Sequence, residues 1–314
     1  MQVWPRTRIR LRLALALAAG LAVVGMLAAA DAGWPLALAL GLAAAGLLAW
    51  LGTARYLQRR KLVATPFPEA WRSLLERRVD FYFGLDADGR ARFEDDVRIF
   101  LAEQRIYAAQ PNAGETPPRA GVVDDEVRLL IAASAAILGH GMPDFEWPRM
   151  RDIVVFPRSF DEDYRDDGEN PNIAGMVHAQ GPILYSARDL RLGYKRHEGH
   201  NVGIHELAHV LDLADGQADG GPVGASWTSS APWLQIIHRG LAKHREKRRK
   251  QAPLRDYAGT NEAEYFAVAV EAFFERPHKL RDDDPELYGL LRDYFGQDPA
   301  SRPARRRHGR LPPA

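Results

Sequence analysis

Two long apolar runs open the chain, at residues 13–30 and 34–51, with a polar break at Asp31 between them. Each run is about 18 residues long, near the lower limit for a helix that crosses a bilayer. Basic residues precede the first run and follow the second, and cationic flanks favour the cytoplasm. We therefore predict a membrane-spanning helical hairpin that contacts the lipid bilayer through residues 13–51. Both of its ends, and the domain that follows, would face the cytoplasm at the inner membrane.

A cleaved signal peptide is the alternative interpretation of the first run, because arginines precede it and small residues surround positions 28–32. The second run would then be a single anchor, and the following domain would lie outside the membrane. The second run follows without a polar start, which favours the hairpin. The chain has no cysteine, so disulfides do not distinguish these compartments.

The remaining pattern predicts an α+β fold, mostly helical with a small sheet, at residues 63–299. This domain lies between the membrane anchor at residues 1–62 and a basic, Pro-rich tail at residues 300–314 that we expect to be disordered. We expect the strand at 183–186 to form the rim of a cleft, where an extended peptide can pair with it. The predicted helices cover 91–109, 124–138 and a segment that starts near Trp233. The predicted strands are 153–156 and 183–185, and a Pro- and Gly-rich link covers 111–121.

A further helix is predicted by apolar residues at positions i, i+3, i+4 and i+7, which are Ile204, Leu207, Ala208 and Leu211. His205 and His209 lie off this stripe, one turn apart on a separate polar face. Two imidazoles at this spacing can hold one Zn²⁺, and Glu206, about 100° around the helix, can take a proton from a water that zinc makes more acidic. The pattern indicates metal-assisted hydrolysis. A surface helix with two incidental histidines is the simpler alternative.

A hydrolytic zinc site needs a third protein ligand, and one candidate segment directly follows the motif. Asp212 and Asp215 lie three and six residues past His209. Short zinc-protease motifs use a Gly at the position of Asp212 to turn the chain back to the metal, and this chain lacks it. We place Asp212 among the residues that surround the ligands.

The second candidate segment is an apolar helix predicted at residues 261–274. It carries Glu264 and Glu271 seven residues apart on one face. Because buried carboxylates require partners, Glu264 could be the third ligand and Glu271 could orient a ligating histidine. A solvated acidic face is the alternative interpretation.

The balance of charged residues limits the classes of partner that we expect for this chain. The chain has 42 basic and 41 acidic residues, a formal net charge of +1, so we expect no nucleic-acid partner. Basic runs at 243–250 and 302–310 are interpreted as solvated segments that could weakly attract an anionic leaflet.

Several motifs together resemble the Mlc titration factor A family of zinc peptidases, over about residues 67–299. They are the H-E-x-x-H-x-L-D of 205–212, Asp215-Gly216, Tyr257-Ala258, the E-x-F-A-V-x-x-E-x-F-F of 264–274, Gln180 to Leu184 and Asp298-Pro299. The resemblance implies a zincin-like, gluzincin-type domain similar to the anthrax lethal factor protease domain. It implies Zn²⁺ on His205, His209 and Glu264, with Glu206 as the general base. It also implies aminopeptidase-type cleavage of a peptide or protein substrate and, for some members, binding of a glucose-responsive transcriptional repressor.

The sequence leaves alternative roles for Tyr257 and for several histidines. Tyr257 matches a family Tyr near the zinc and could donate a hydrogen bond to the oxyanion of the reaction, or it could be a packed loop residue. The family's additional upstream histidine does not align cleanly here, so we interpret His178, like His197 and His200, as a loop or cap residue. A regulator-binding protein and a structural zinc protein remain alternatives, although structural sites usually use four protein ligands.

Overall fold

The chain forms two compact units, Met1–Phe67 and Pro68–Ala314. A computed structural model describes residues 1–109, 121–142, 144–148, 150, 152–166, 172–178, 181–196, 199–213, 233, 235–242 and 260–302. The units divide five residues after the boundary expected between residues 62 and 63.

The first unit is a pair of helices, α1 (Arg6–Ala29) and α2 (Trp34–Val63), joined by a short turn. Both are long and apolar enough to cross a membrane. They pack closely where Gly20 meets Gly41, since a Cβ on Gly20 would lie 2.7 Å from the Gly41 carbonyl oxygen. All large hydrophobic side chains that the described residues expose lie in these helices, except Phe83 and Val122.

Ten helices, including a partly described one at 235–242, and a short 3₁₀ turn form most of the second unit within its described residues. The helix Asp125–Gly139 consists mainly of long apolar side chains and alanines, and it is almost wholly buried. The helices are α3 (Glu69–Arg78), α4 (Asp80–Phe83), α5 (Ala87–Glu103), α6 (Asp125–Gly139), α7 (Ala187–Arg196), α8 (Val202–Asp212), α9 (residues 235–242), α10 (Glu262–Glu275), α11 (Pro277–Asp283) and α12 (Pro285–Phe295), followed by the 3₁₀ turn Pro299–Ser301.

A four-stranded mixed sheet completes this unit. Its strands are β1 (Ile106–Ala108), β2 (Ile153–Phe156), β3 (Gly175–Val177) and β4 (Ile183–Ser186), in the order β1-β2-β4-β3. The first three in that order are parallel, and β3 runs antiparallel to β4. All residues of β2 and β4 are buried, as expected for the central strands of a covered sheet.

The helix α8 occupies the centre of the second unit. It contacts α6, α7 and α10 as well as β3 and β4. Every residue from Gly203 to Asp212 is buried, so the polar face expected for His205 and His209 does not face solvent. Because α10 covers it, this face is an internal one.

Three sequence expectations require correction. The helix predicted at 91–109 ends at Glu103, and residues 106–108 are strand β1. Strand 183–186 is β4, an internal strand rather than the rim, and β3 is the edge strand beside it. Ser301 and Arg302, predicted to belong to a disordered tail, continue the packed domain, with the Arg302 guanidinium 3.9 Å from the Phe81 ring centroid.

Candidate metal site

The helix that carries the H-E-x-x-H motif begins at a side-chain cap. Asn201 is the N-cap of α8, and its Oδ1 accepts a hydrogen bond from the Ile204 N–H at 3.2 Å. Apolar residues then lie between and around the motif residues, and the helix ends after Asp212. The cap therefore fixes where the helix starts, and the i, i+4 spacing brings both imidazoles to one face.

The helix α10 begins in the same way. Asn261 is its N-cap and accepts a hydrogen bond from the Glu264 N–H at 2.8 Å. Glu264 lies in the first turn with its side chain 16% exposed, whereas Glu271 is buried two turns later. A solvated acidic face is therefore excluded for α10.

Three side chains from these two helices converge. One nitrogen or oxygen atom from each of His205, His209 and Glu264 lies within 4.8 Å of the others. The Nε2 atoms of the two histidines lie 3.3 Å and 3.4 Å from different carboxylate oxygens of Glu264. The two imidazole rings are nearly perpendicular, at 83°. Two imidazole nitrogens and a carboxylate oxygen at this separation can surround a single small cation.

Glu271 lies at the other nitrogen of the first histidine. Its Oε2 is 3.5 Å from Nδ1 of His205, and its Oε1 accepts a hydrogen bond from the Asn201 N–H. A carboxylate at Nδ1 favours the tautomer that leaves Nε2 unprotonated and available to a metal. This contact is the one that the sequence predicted for Glu271, and its role in metal binding stays a prediction.

The carboxylate of Glu206 is buried against the edge strand. A Cβ added to Gly175 of β3 would lie 2.5 Å from Glu206 Oε1 and 2.7 Å from its Cγ. Only glycine leaves room for the side chain in this position. The edge strand thus determines where the proposed general base lies.

The ionisable side chains of the site strongly affect one another's pKa values. Burial opposes ionisation of His205, but hydrogen bonds to Glu264 and Glu271 outweigh it and raise the pKa of His205 to about 10. Burial likewise disfavours the charged form of Glu264, yet its hydrogen bonds to both histidines lower its pKa to about 2. Burial raises the pKa of Glu206, the two histidines oppose this shift, and the neighbouring glutamates add to it. Three carboxylates around two imidazoles form a site that favours positive charge.

The donor set fits zinc. Imidazole nitrogen and carboxylate oxygen are its usual ligands, and three protein donors are typical of hydrolytic sites. Oε2 of Glu264 is buried and lies 3.3 Å from Nε2 of His205. A bound cation would compensate this oxygen, which is otherwise costly to bury.

Other residues singled out from the sequence lie near the site, elsewhere or outside the described residues. Asp212 is fully buried at the end of α8. His178 follows β3, with its Nε2 3.4 Å from the Tyr164 hydroxyl. His200 directly precedes the cap of α8. The remaining positions, which are Tyr257, Asp215, Gln180, His197 and the basic runs at 243–250 and 303–310, lie outside the described residues.

Two residues of the site were missed in the sequence. Asn201 could have been found, because an Asn directly before an apolar helical stripe is a typical N-cap. Gly175 gave no usable signal, since it opens a strand of only three residues.

Comparisons with known proteins identify the family of this chain. Residues 53–296 match the family described as glucose-regulated metallo-peptidase M90. The chain is 29% identical to Mlc titration factor A of Edwardsiella ictaluri (strain 93-146), covering 76% of this chain and 89% of that protein. It is 29% identical to Mlc titration factor A of Yersinia enterocolitica, covering 82% and 93%, and 29% identical to an uncharacterized protein of Synechocystis sp., covering 77% and 89%. The chain therefore belongs to the glucose-regulated metallo-peptidase family M90, which confirms the resemblance drawn from its motifs.

Proposed function

We propose that this protein is a membrane-anchored zinc peptidase with a zincin-like catalytic domain at residues 63–299. The convergence of His205, His209 and Glu264 beside the buried Glu206 carries this proposal. Membership of a metallopeptidase family supports it independently.

Each site residue has a distinct task in the proposed reaction. His205, His209 and Glu264 would hold the zinc ion, which when bound polarises a peptide carbonyl and acidifies water. Glu206 takes a proton from the attacking water and passes it to the leaving amine. Tyr257 is proposed as a donor to the oxyanion, and Glu271 and Asp212 as residues that support the ligands.

The edge strand suggests how substrate binds. The strand β3 lies at one end of the described sheet, and Gly175 at its start contacts Glu206. An extended peptide that pairs with this strand would run past the general base. The family resemblance supports aminopeptidase-type cleavage, in which a free amino terminus is required.

The hairpin supports an inner-membrane location. Its two helices are long and apolar enough to cross a membrane, and they expose leucines along their length. We propose that they lie in the bilayer through residues 13–51 and keep the catalytic domain on the cytoplasmic side. The arginines and lysines at both outer flanks support this orientation.

A regulator-binding role is the second candidate. The relatives named Mlc titration factor A favour it, since a protein of this fold could sequester a transcriptional repressor with catalysis incidental. Two results together would favour this role. The Glu206→Gln variant would bind the repressor as tightly as wild type does, and neither protein would show peptidase activity.

Peptide cleavage by the full chain, purified in detergent, tests the proposed function. A library with free and blocked amino termini separates aminopeptidase from endopeptidase activity. Cleavage should stop with a chelator and return with zinc, and Glu206→Gln should bind zinc without turnover. Activity that survives both complete zinc removal and Glu206→Gln would contradict the proposal.

A further inference from the structure

Asn201 uses each of its four hydrogen-bonding groups at the metal site. Its carbonyl accepts from the His205 N–H at 3.0 Å, and its Oδ1 caps the helix at Ile204. Its own N–H donates to Oε1 of Glu271, and its Nδ2 donates to Oε1 of Glu275 at 2.9 Å. The residue has no exposed surface.

Together with the 3.5 Å contact between Glu271 and His205, these bonds close a ring through two helices. Starting from the His205 backbone, the ring passes through Asn201 to Glu271 and returns to Nδ1 of the His205 side chain. The bond to Glu275 fixes the same asparagine one turn further along α10. The ring therefore ties the backbone and the imidazole of His205 to the same neighbour.

We infer that Asn201 is a positioning residue for zinc. Its side chain, bonded to the Ile204 N–H and to Glu275, anchors the backbone N–H that holds Glu271 against His205, and this fixes the imidazole that presents Nε2 to the metal. The inference rests on the proposed zinc site and goes beyond it by assigning a role to a residue that is not a ligand. Groups that orient ligating histidines typically change metal affinity by about 10- to 100-fold when lost.

Polarity of the Asn201–Glu275 bond gives a sharp test. Asn201→Ser keeps a capping oxygen but loses the donor to Glu275, so zinc affinity should fall about 10-fold. Asn201→Asp keeps the cap but places a carboxylate beside Glu275 and Glu271, so affinity should fall further, toward 100-fold. Adding Glu275→Gln to Asn201→Asp restores a hydrogen bond with donor and acceptor exchanged, and should recover most of the affinity.

The matched control is Asn261, the N-cap of α10, which precedes the ligand Glu264 by three residues as Asn201 precedes His205 by four. Asn261→Ser and Asn261→Asp should leave zinc affinity within about twofold of wild type, since both keep a capping oxygen. An equal loss of zinc affinity in the variants of both asparagines would show that only helix capping is involved, and it would overturn the inference.

Zinc affinity is measured on the full chain in detergent by chelator competition, and the absorption spectrum of the cobalt-substituted protein reports the geometry of the ligands. We expect the spectrum to change in Asn201→Asp and to return in the double variant. If Glu271→Ala weakens zinc binding while every Asn201 variant binds like wild type, this inference alone is wrong. Zinc binding that follows the expected order in a protein without peptidase activity supports the inference and overturns the catalytic proposal. Failure of the wild type to bind zinc overturns both.

Discussion

Glu271 lies 3.5 Å from Nδ1 of His205, while Nε2 of the same ring lies 3.3 Å from Glu264. The imidazole is therefore held between two carboxylates of one helix, at positions two turns apart. We propose that one carboxylate shares a metal with the ring and that the other fixes the ring's tautomer. Removing them should consequently have different effects.

Glu271→Ala should lower zinc affinity and turnover about 10- to 100-fold, because the ligands remain while their orientation is lost. Chelator competition measures the affinity, and peptide cleavage measures the rate. Glu286→Ala is the control, since its side chain is 57% exposed and pairs with Arg239 away from the cluster. Unchanged affinity and rate in Glu271→Ala would assign this residue to packing alone.

Loss of a ligand should be more severe. Alanine at His205, His209 or Glu264 should each abolish stoichiometric zinc, because a site with three protein ligands has no redundancy. Metal analysis of the purified chain gives the occupancy. Asp215→Ala separates the two sequence interpretations of the third ligand and should retain zinc. Full zinc in Glu264→Ala, with loss in Asp215→Ala, would establish the local motif instead.

The site helices could be predicted because their signals are local. Apolar spacing and the H-E-x-x-H motif predicted α8, and the two glutamates of α10 were expected to need partners, since buried carboxylates are costly. The strand at 153–156 was likewise predicted from a short apolar run and is confirmed.

The failures have a tertiary cause. The helix α5 ends where the side chain of Gln104 bonds to Pro148 and Met150, residues more than forty positions away, and no local signal marks this end. The interior position of β4 depends on β3, a strand of three half-buried residues that is too short to show alternation.

Gly175→Ala should impair catalysis more than metal binding. The added Cβ would lie 2.5 Å from Glu206 Oε1, so the carboxylate must move, and a displacement near 1 Å can reduce turnover about 100-fold. The kcat of peptide cleavage and the zinc content are measured together. Gly289→Ala is the matched control, because a Cβ there meets nothing within 4 Å and a helical alanine is favourable. Normal kcat in Gly175→Ala would show that Glu206 does not depend on the edge strand.

His140 should make the protein less stable in mild acid. Its ring packs edge-on against Phe81 at 5.5 Å, and its Nδ1 has no hydrogen-bond partner among the described residues. Burial lowers the pKa of His140 to about 4, and the charges of Arg302 and Arg92 act in the same direction. The unfolded chain binds this proton near pH 6.5, so it holds more protons than the folded chain between about pH 6.5 and 4. The free energy of unfolding should therefore fall as pH falls through this window, by about 1–2 kcal/mol from this residue after allowance for its partial exposure.

Denaturant unfolding at several pH values checks this contribution. His140→Phe should show a shallower fall in stability between pH 6.5 and 4 than wild type, whereas His278→Phe, at an exposed position, should follow wild type. Parallel curves for wild type and His140→Phe would mean that His140 is protonated as easily in the folded chain as in the unfolded one.

The charges that flank the hairpin predict its membrane topology. Four arginines lie at residues 6–12, and four basic residues lie at residues 55–61, so the inverted arrangement would place all eight outside. A reporter fused after Lys61 should be active only in the cytoplasm, and the purified protein should retain Met1 or Gln2 at its amino terminus. Removal of residues 1–61 should release the second unit from the membrane with its zinc bound, since every proposed ligand lies beyond Pro68.

The charge control changes the four arginines before the first run to glutamine. It should lower the fraction of chains whose reporter is cytoplasmic without altering zinc content. A new amino terminus near Ala32, together with reporter activity outside the membrane, would establish the signal-peptide interpretation and exclude a cytoplasmic regulator as the partner.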